Sequence, residues 1–366
     1  MASNNAKFLT HQDAAILNRN LVLNYIKENA PVSRTDIWEN TDLSRASVTQ
    51  IIKQLIEHGY VYEKGTGESR GGRKPCYLEF NANVRNIIVY DWHLKSLFLT
   101  DLNANIIYRK NVQFNGRISP DEFSEMIAEA VNETIEVQKL DIKKVIGFGL
   151  VIPGMIDPVN GNVILFVEQG WKNVNLKSMV ESKTGIETTL EMDSNMLALG
   201  EFKYGVGNEE KNFVLLDVED DGIGFAFIIN GECYRGSNNM NGEIGHVSLN
   251  NEGPKCSCGR NGCIEAYIKE VLRRKTNNWK KEAAYYIGIA ASIIINALDP
   301  RIIVLSGNVI EKGGEELVSS IRNVVLNNVL KADKRNIKIE KSTLGQYGRI
   351  KGICSLIYEN NFYILK

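Results

Sequence analysis

Three cysteines and a histidine stand close together in a chain of 366 residues that has only six cysteines and four histidines. Cys256, Cys258 and Cys263 fall in "GPKCSCGRNGCIEAY", and His246 precedes the first of them by ten positions in "NGEIGH". Three thiolates and an imidazole make a closed tetrahedral set for Zn²⁺. With four protein ligands and no position left for water, the expected zinc is structural rather than catalytic. Gly253, Gly259 and Gly262 supply the tight turns such a loop needs. Reduced cysteines in a plain loop are the competing reading. Cys76, Cys233 and Cys354 are scattered and read as packed thiols.

A second chemistry lies in the first eighty residues. Leu21, Tyr25 and Ile26 mark a helix that Pro31 ends, and Ser33 with Asp36 three residues on opens a second. A third begins at Ser44 and stops at Gly59, with Val48, Ile51, Ile52 and Leu55 as its apolar stripe. Its outer face carries Arg45, Ser47, Thr49, Gln50 and Lys53, with no carboxylate before Glu57. These are the donors and acceptors that base edges and phosphates require. "YVYEKGTGESRGGRKPCYLEF" then reads as strand, Gly-rich turn and strand, a wing. In "SRGGRKP", Arg73 and Lys74 sit where a flexible arm could lie in a narrow minor groove. A winged helix-turn-helix that binds operator DNA is the expectation. A wet three-helix interaction module is the alternative.

Composition agrees with a globular protein: 43% of residues are hydrophobic and 24% charged. The chain is long enough for two or three domains. Its start lacks the basic and apolar regions of a signal peptide, and no apolar run reaches the ~18 residues of a spanning helix. The expected location is the cytoplasm, where clustered thiols point to metal before disulfide. The net charge of −1 hides a basic run, since Lys64, Arg70, Arg73 and Lys74 are opposed locally only by Glu68.

Beyond Val84 the texture changes to alternating strands and helices. "NIIVYDWHLKSLFLTDLNANIIYRKNVQF" reads as three strands, "PDEFSEMIAEAVNETIEVQ" as an amphipathic helix and "KVIGFGLVIPGMID" as a buried strand running into a turn. "TTLEMDSNMLALGEFKYG" is a strand and a helix, after which "NFVLLDVEDDGIGFAFIINGECYRG" begins the pattern again. Two such sets suggest an α/β body of two actin-like (ribonuclease H-like) lobes with a ligand site between them.

"GHVSLNNEGPKCSCGRNGCIEAY" resembles the hallmark of the ROK family, which comprises sugar kinases and sugar-responsive repressors. "IPGMID", "LEMDSNMLALGE", "GIGFAFIINGECYRG" and "LDPRIIVLSG" fall in that family's order, from about residue 16 to the end. The helix-turn-helix and "GGRKP" resemble the part that only its repressors possess, and "GPKCSCG" and "STLGQYGRIKG" resemble its xylose repressors in particular. The resemblance implies that Glu243, His246 and Glu265 contact sugar hydroxyls, His246 using its second ring nitrogen. It also puts Asp193 at the kinases' catalytic base and Gly154 where backbone meets sugar. Holding the zinc ligands in place, without touching sugar, is the competing role for Glu243 and Glu265.

Departures from the family argue against catalysis. Its kinases carry Asp-x-Gly-Gly-Thr after the first strand, where bare N–H groups cradle phosphates. Here the stretch is "YDWHLKS", and the second phosphate loop is "DDGIGFAF". Met192 and Glu168 replace asparagines near the sugar, and the segment after Glu265 is short. The expected organisation is a DNA-binding domain at 1–82, lobe 1 at 83–193, lobe 2 with the zinc loop at 194–347, and a C-terminal helix at 348–366 returning to lobe 1. The expected protein is no enzyme but a transcriptional repressor of carbohydrate-utilisation genes, a homodimer or dimer of dimers, released by a monosaccharide with xylose among the candidates. A sugar kinase with an accessory DNA-binding head, or a repressor that answers to a protein partner, are the alternatives.

Overall fold

In the computed structural model, which describes residues 11–66, 76–208 and 210–362, the chain opens with three helices and a small sheet. Helix α1 (His11–Asn29) leads through strand β1 (Val32–Ser33) to α2 (Arg34–Thr41) and α3 (Arg45–Glu57). Strands β2 (Val61–Thr66) and β3 (Cys76–Phe80) form the antiparallel wing, and β1 pairs with the free side of β3. The helix starts come from the side chains the sequence offers. Ser33 and Asp36 close a reciprocal capping box on α2, and Ser44 Oγ accepts the Ser47 N–H on α3. Val48, Ile51, Ile52 and Leu55 of α3 share one core with Leu23 and Ile26 of α1. "SRGGRKP", and with it Arg73 and Lys74, lies outside the described residues.

Next come β4 (Asn86–Asp91), β5 (Ser96–Thr100), β6 (Ile106–Asn111), α4 (Pro120–Val137) and β7 (Val145–Ile152). A small sheet of β8 (Met155–Asp157), β9 (Asn162–Phe166) and β10 (Trp171–Val174) precedes α5 (Leu176–Thr184), β11 (Thr188–Met192) and α6 (Asp193–Tyr204). The second half contains β12 (Phe213–Val218), β13 (Ile223–Ile229), β14 (Glu232–Cys233), α7 (Ile264–Arg274), α8 (Trp279–Leu298), β15 (Ile302–Ser306), α9 (Asn308–Asn328) and β16 (Lys338–Lys341).

The two large sheets repeat one topology. The first runs β11-β7-β4-β5-β6 and the second β14-β13-β12-β15-β16. In each, a three-stranded antiparallel meander is extended from its first strand by two parallel strands. This is the two-lobed actin-like body, with β4 and β12 as equivalent central strands. Parallel strands covered on both faces read as continuous apolar runs, which is why "FVLLDV" and "IIVLS" carry no alternation.

Helix α10 (Gly348–Phe362) returns to the first sheet, packing on α6, β7 and β4. Its Ile350, Ile353, Ile357 and Tyr358 belong to the same core as Leu23, Ile26 and Leu78 of the head. The Lys27 ammonium lies 3.6 Å from the Tyr358 ring centroid, and Phe80 meets that ring edge-on at 6.3 Å. The winged head is thus packed on the first lobe through α10. Among the described residues, no helix is long and apolar enough to cross a membrane.

Candidate functional site

A cavity of about 270 Å³ opens between the two sheets at their strand ends. Gly154, Asp193, Glu243, His246 and Glu265 all line it, although they come from four separate stretches of chain. Gly154 follows β7 at φ +107°, and a Cβ there would lie 2.7 Å from the Leu165 carbonyl oxygen, so β9 leaves no room for a side chain at this position. Asp193 is the first residue of α6, and Glu265 stands in the first turn of α7. Glu243 and His246 flank a single 3₁₀ turn.

The zinc ligand set is assembled. The donor atoms of His246, Cys256, Cys258 and Cys263 all lie within 4.8 Å of one another. Cys258 and Cys263 Sγ are 3.7 Å apart, and Cys256 Sγ is 3.6 Å from His246 Nδ1. Four ligands at about 2.0–2.3 Å from one Zn²⁺ would have tetrahedral edges of about 3.5–3.8 Å. The residues present therefore fit the ion. The loop is closed by short antiparallel bridges, Ser248 to Cys263 and Lys255 to Asn261, with Gly259 and Gly262 at positive φ. Cys263 also serves as the residue before α7, so the loop fixes the helix that carries Glu265. His246 Nδ1 faces the thiols, and Nε2 looks toward Glu243 Oε2 at 3.6 Å. Glu265 Oε1 accepts from Ser257 Oγ at 3.2 Å and lies 3.5 Å from Lys269 Nζ.

On the opposite wall His93 Nε2 lies 2.6 Å from Asp193 Oδ2. Burial works against a charged imidazole, but the hydrogen bond and charge of Asp193 outweigh it and lift His93 to about 9. Asp193, whose burial pushes the other way, is held below its usual value by His93 and then Arg349. The neighbouring Trp92 takes no part in this pair. It is 6% exposed and packs among Phe114, Phe123, Phe166 and Trp171. Of the bulky residues in "YDWHLKS", His93 is therefore the one that presents a polar group to the cavity.

The rest of the rim is acidic. Glu168, Glu219 and Asp221 line the cavity with Glu243 and Glu265. Burial, followed by the charge of Asp217, raises Glu219 to about 7, and burial likewise raises Glu168. Asp220 turns away, pairing with Lys312 at 2.7 Å and Asn308 at 2.9 Å. Its charge stays at the surface.

On α3, Arg45, Thr49, Gln50 and Lys53 are exposed and Ser47 half-buried. Arg45 stacks over Trp38 at 4.1 Å, and Lys53 lies 3.8 Å from Glu57. Two hydroxyls are already committed within the helix: Ser47 Oγ to Ser44 Oγ at 2.8 Å, and Thr49 Oγ1 to the Arg45 carbonyl at 2.8 Å. Lys64, counted in the basic run, pairs with Glu79 at 2.5 Å. Sequence reasoning overlooked two arginines near the cavity, one half-buried and one buried. Arg235 grips Glu191 through two bonds of 2.7 and 2.6 Å, bracing β11 just before Asp193. Arg349 joins Asp91 and Asp217. Nothing in their polar, Gly-rich surroundings, "NGECYRGSNN" and "LGQYGRIKG", signals an ion pair.

A winged helix-turn-helix head, a two-lobed actin-like body and a His-Cys₃ loop beside the interlobe cavity define a two-lobed α/β fold joined to a winged-helix module. The chain belongs to the ROK family, whose profile matches residues 94–282, and the winged helix-turn-helix DNA-binding profile matches residues 18–62. The xylose repressor of Bacillus spizizenii is 28% identical, the match covering 96% of this chain and 97% of that protein. A ROK family transcriptional regulator, described as a homologue of the E. coli MLC protein, superposes with a TM-score of 0.79 at 21% identity over 96% and 97% of the chains. A ROK family glucokinase from Streptomyces griseus, in complex with glucose and AMPPNP, gives 0.63 at 20% identity and covers 74% of this chain and 98% of its own.

Proposed function

We propose that this chain is a transcriptional repressor of carbohydrate-utilisation genes whose hold on operator DNA is loosened by a monosaccharide bound between the lobes. The observation that carries it is the join: one core, through α10, contains both winged-head residues and residues of the lobe that bears Asp193. A ligand that favours one arrangement of the lobes can then shift the heads, by no more than its differential affinity for the two arrangements. The protein acts in the cytoplasm as a homodimer, since two heads are needed to read two half-sites.

In this reading Asp193, Glu243 and Glu265 accept sugar hydroxyls, Gly154 offers backbone, and His246 Nε2 turns a donor to the ligand. Zinc, held by Cys256, Cys258, Cys263 and His246 Nδ1, would order the loop and α7 and fix the imidazole tautomer. The acidic rim favours an uncharged sugar over a sugar phosphate, because the cavity cations His93 and Lys269 are each already engaged with a carboxylate. Xylose fits that description, as do other neutral aldoses.

Phosphoryl transfer is disfavoured by the same geometry. It depends on positioning and on neutralising developing charge. Here the residue that would accept the hydroxyl proton, Asp193, is bound to an imidazolium from the turn that would have to cradle phosphate. The test is a thermal-shift panel of neutral aldoses, amino sugars and their phosphates, paired with an ATP-dependent phosphorylation assay on the same sugars. The reading expects stabilisation by a neutral sugar and no product. Turnover of any sugar would contradict it.

A further inference from the structure

The aspartates near the ends of the two equivalent central strands share one cation. Asp91 is the last residue of β4, and Asp217 lies one residue before the end of β12. Arg349, the second residue of α10, places Nε 2.9 Å from Asp91 Oδ2 and Nη1 3.5 Å from Asp217 Oδ2. None of these three side chains is more than 4% exposed. The second oxygen of Asp91 is satisfied by the Leu94 N–H at 2.8 Å. Asp217 Oδ1, beside Ser306 on β15, has no partner of hydrogen-bond geometry among the described residues.

Two carboxylates brought from opposite lobes into one dry space repel each other unless something positive stands between them. Burial would favour a neutral guanidinium, but Asp91, Asp217 and Asp193 keep Arg349 charged. Burial raises Asp217, with Arg349 opposing that rise, so this carboxylate is only partly compensated. The connection to the cleft is mechanical as well as electrostatic. Helix α10 packs so tightly along α6 that a Cβ on Gly352 would lie 1.9 Å from the Met196 carbonyl oxygen. Asp193 is the first residue of that same α6.

We infer that Arg349 is a built-in cation at the seam of the lobes, standing where a divalent ion would otherwise have to bridge Asp91 and Asp217. By pinning the lobes it positions Asp193 and His93 at the mouth of the cleft. A guanidinium serves this role because it stays charged at any working pH and spans two carboxylates with a rigid planar fork. The lobe spacing is thereby set without nucleotide or metal. Arg349 is a positioning residue, and its influence on sugar binding rests on the function proposed above.

The test uses the full chain with Arg349→Gln, which removes the charge and leaves the two carboxylates facing each other. With zinc content unchanged, millimolar Mn²⁺ or Mg²⁺ should raise the Tm of the variant by a few degrees and leave the wild type unmoved. Sugar affinity should fall by about tenfold or more and be recovered by the same ion. Should Arg349→Gln fail to fold, Asp217→Asn is the second variant: it keeps Arg349 on Asp91, and the loss of the bridge should still weaken the sugar. An Arg349→Gln variant that matches wild type in sugar affinity and in its indifference to Mn²⁺, or an Asp217→Asn variant that matches it in sugar affinity, overturns the inference. So does an equal Mn²⁺ shift in the wild type. The metal arm needs no sugar, so a chain that answers no sugar contradicts the functional reading alone, and the Tm response still decides this one.

Discussion

His93 Nε2 and Asp193 Oδ2 lie 2.6 Å apart, joined across a sequence separation of 100 residues. The pair makes Asp193 one half of an ion pair and the turn after β4 the source of the other half. Its charge state depends on pH in a defined direction. His93 is lifted from 6.5 to about 9 on folding, with Asp193, Asp91 and Arg349 as the charged groups that face it. A raised pKa on a base gives stability that is complete below about 6.5 and is lost as pH rises through 9. The Tm of wild type should therefore fall across that window, and His93→Gln should flatten the fall. An unchanged slope in the variant would refute the assignment.

Glu219 gives a second, separable window. Burial and Asp217 raise it from 4.5 to about 7. The folded state then holds a proton that the unfolded state releases, so stability is complete below about 4.5 and declines as pH rises through 7. Glu219→Gln should remove the decline between those values and leave the His93 window intact. A calorimetric series of both variants from pH 5 to about pH 9.5 separates the two groups.

Freshly purified protein should contain one zinc per chain, and Cys258→Ser should lose it. Because Cys263 immediately precedes α7 and Glu265 stands in its first turn, loss of zinc should also abolish sugar-induced stabilisation. The check is metal analysis followed by thermal shift. Metal-free protein that still binds sugar would break the link between loop and cleft.

On α3 the structure divides residues that the sequence grouped together. Arg45→Ala and Gln50→Ala should each cost about 1–3 kcal/mol on operator DNA and relax base preference. Lys53→Ala should weaken all sequences alike. Thr49→Val should matter little for base choice, because the hydroxyl is bonded to the Arg45 carbonyl. Titrations on operator and scrambled DNA distinguish these outcomes, and equal losses throughout would erase the division.

Trp92→Ala should cost about 3–5 kcal/mol of stability, as large aromatic truncations in a core do. Trp92 is mostly buried in the aromatic cluster of the first lobe, although it also borders the cleft. Chemical denaturation measures the loss. A variant near wild type in stability but altered in ligand choice would return Trp92 to the site.

What the sequence made legible was local. Ser33 with Asp36, Ser44 and Pro31 announce helix boundaries through contacts a few residues long, and the wing and both strand sets follow from periodicity and turn residues. The zinc set was legible because Cys256, Cys258 and Cys263 are close in sequence and chemically distinctive. The partners of Asp193 and Asp91 were not, because His93 and Arg349 stand 100 and 258 residues away. Trp92 and His93 are neighbours that both border the cavity, and only the folded chain shows that one belongs to an aromatic cluster and the other to an ion pair. The equivalence of β4 and β12 likewise emerges from sheet order, since their sequences share little beyond apolar character and an aspartate at or next to the last position.

The central claim is that sugar in the cleft controls DNA at the head, and one titration addresses it. Operator fragments selected from random DNA by the full-length protein are bound at fixed salt with and without each neutral aldose of the thermal-shift panel. The account predicts that the sugar which stabilises the protein lowers operator affinity by about tenfold or more, a coupling of ordinary allosteric size. It predicts no such effect in Glu243→Gln. DNA affinity indifferent to every sugar that stabilises the protein would contradict the account.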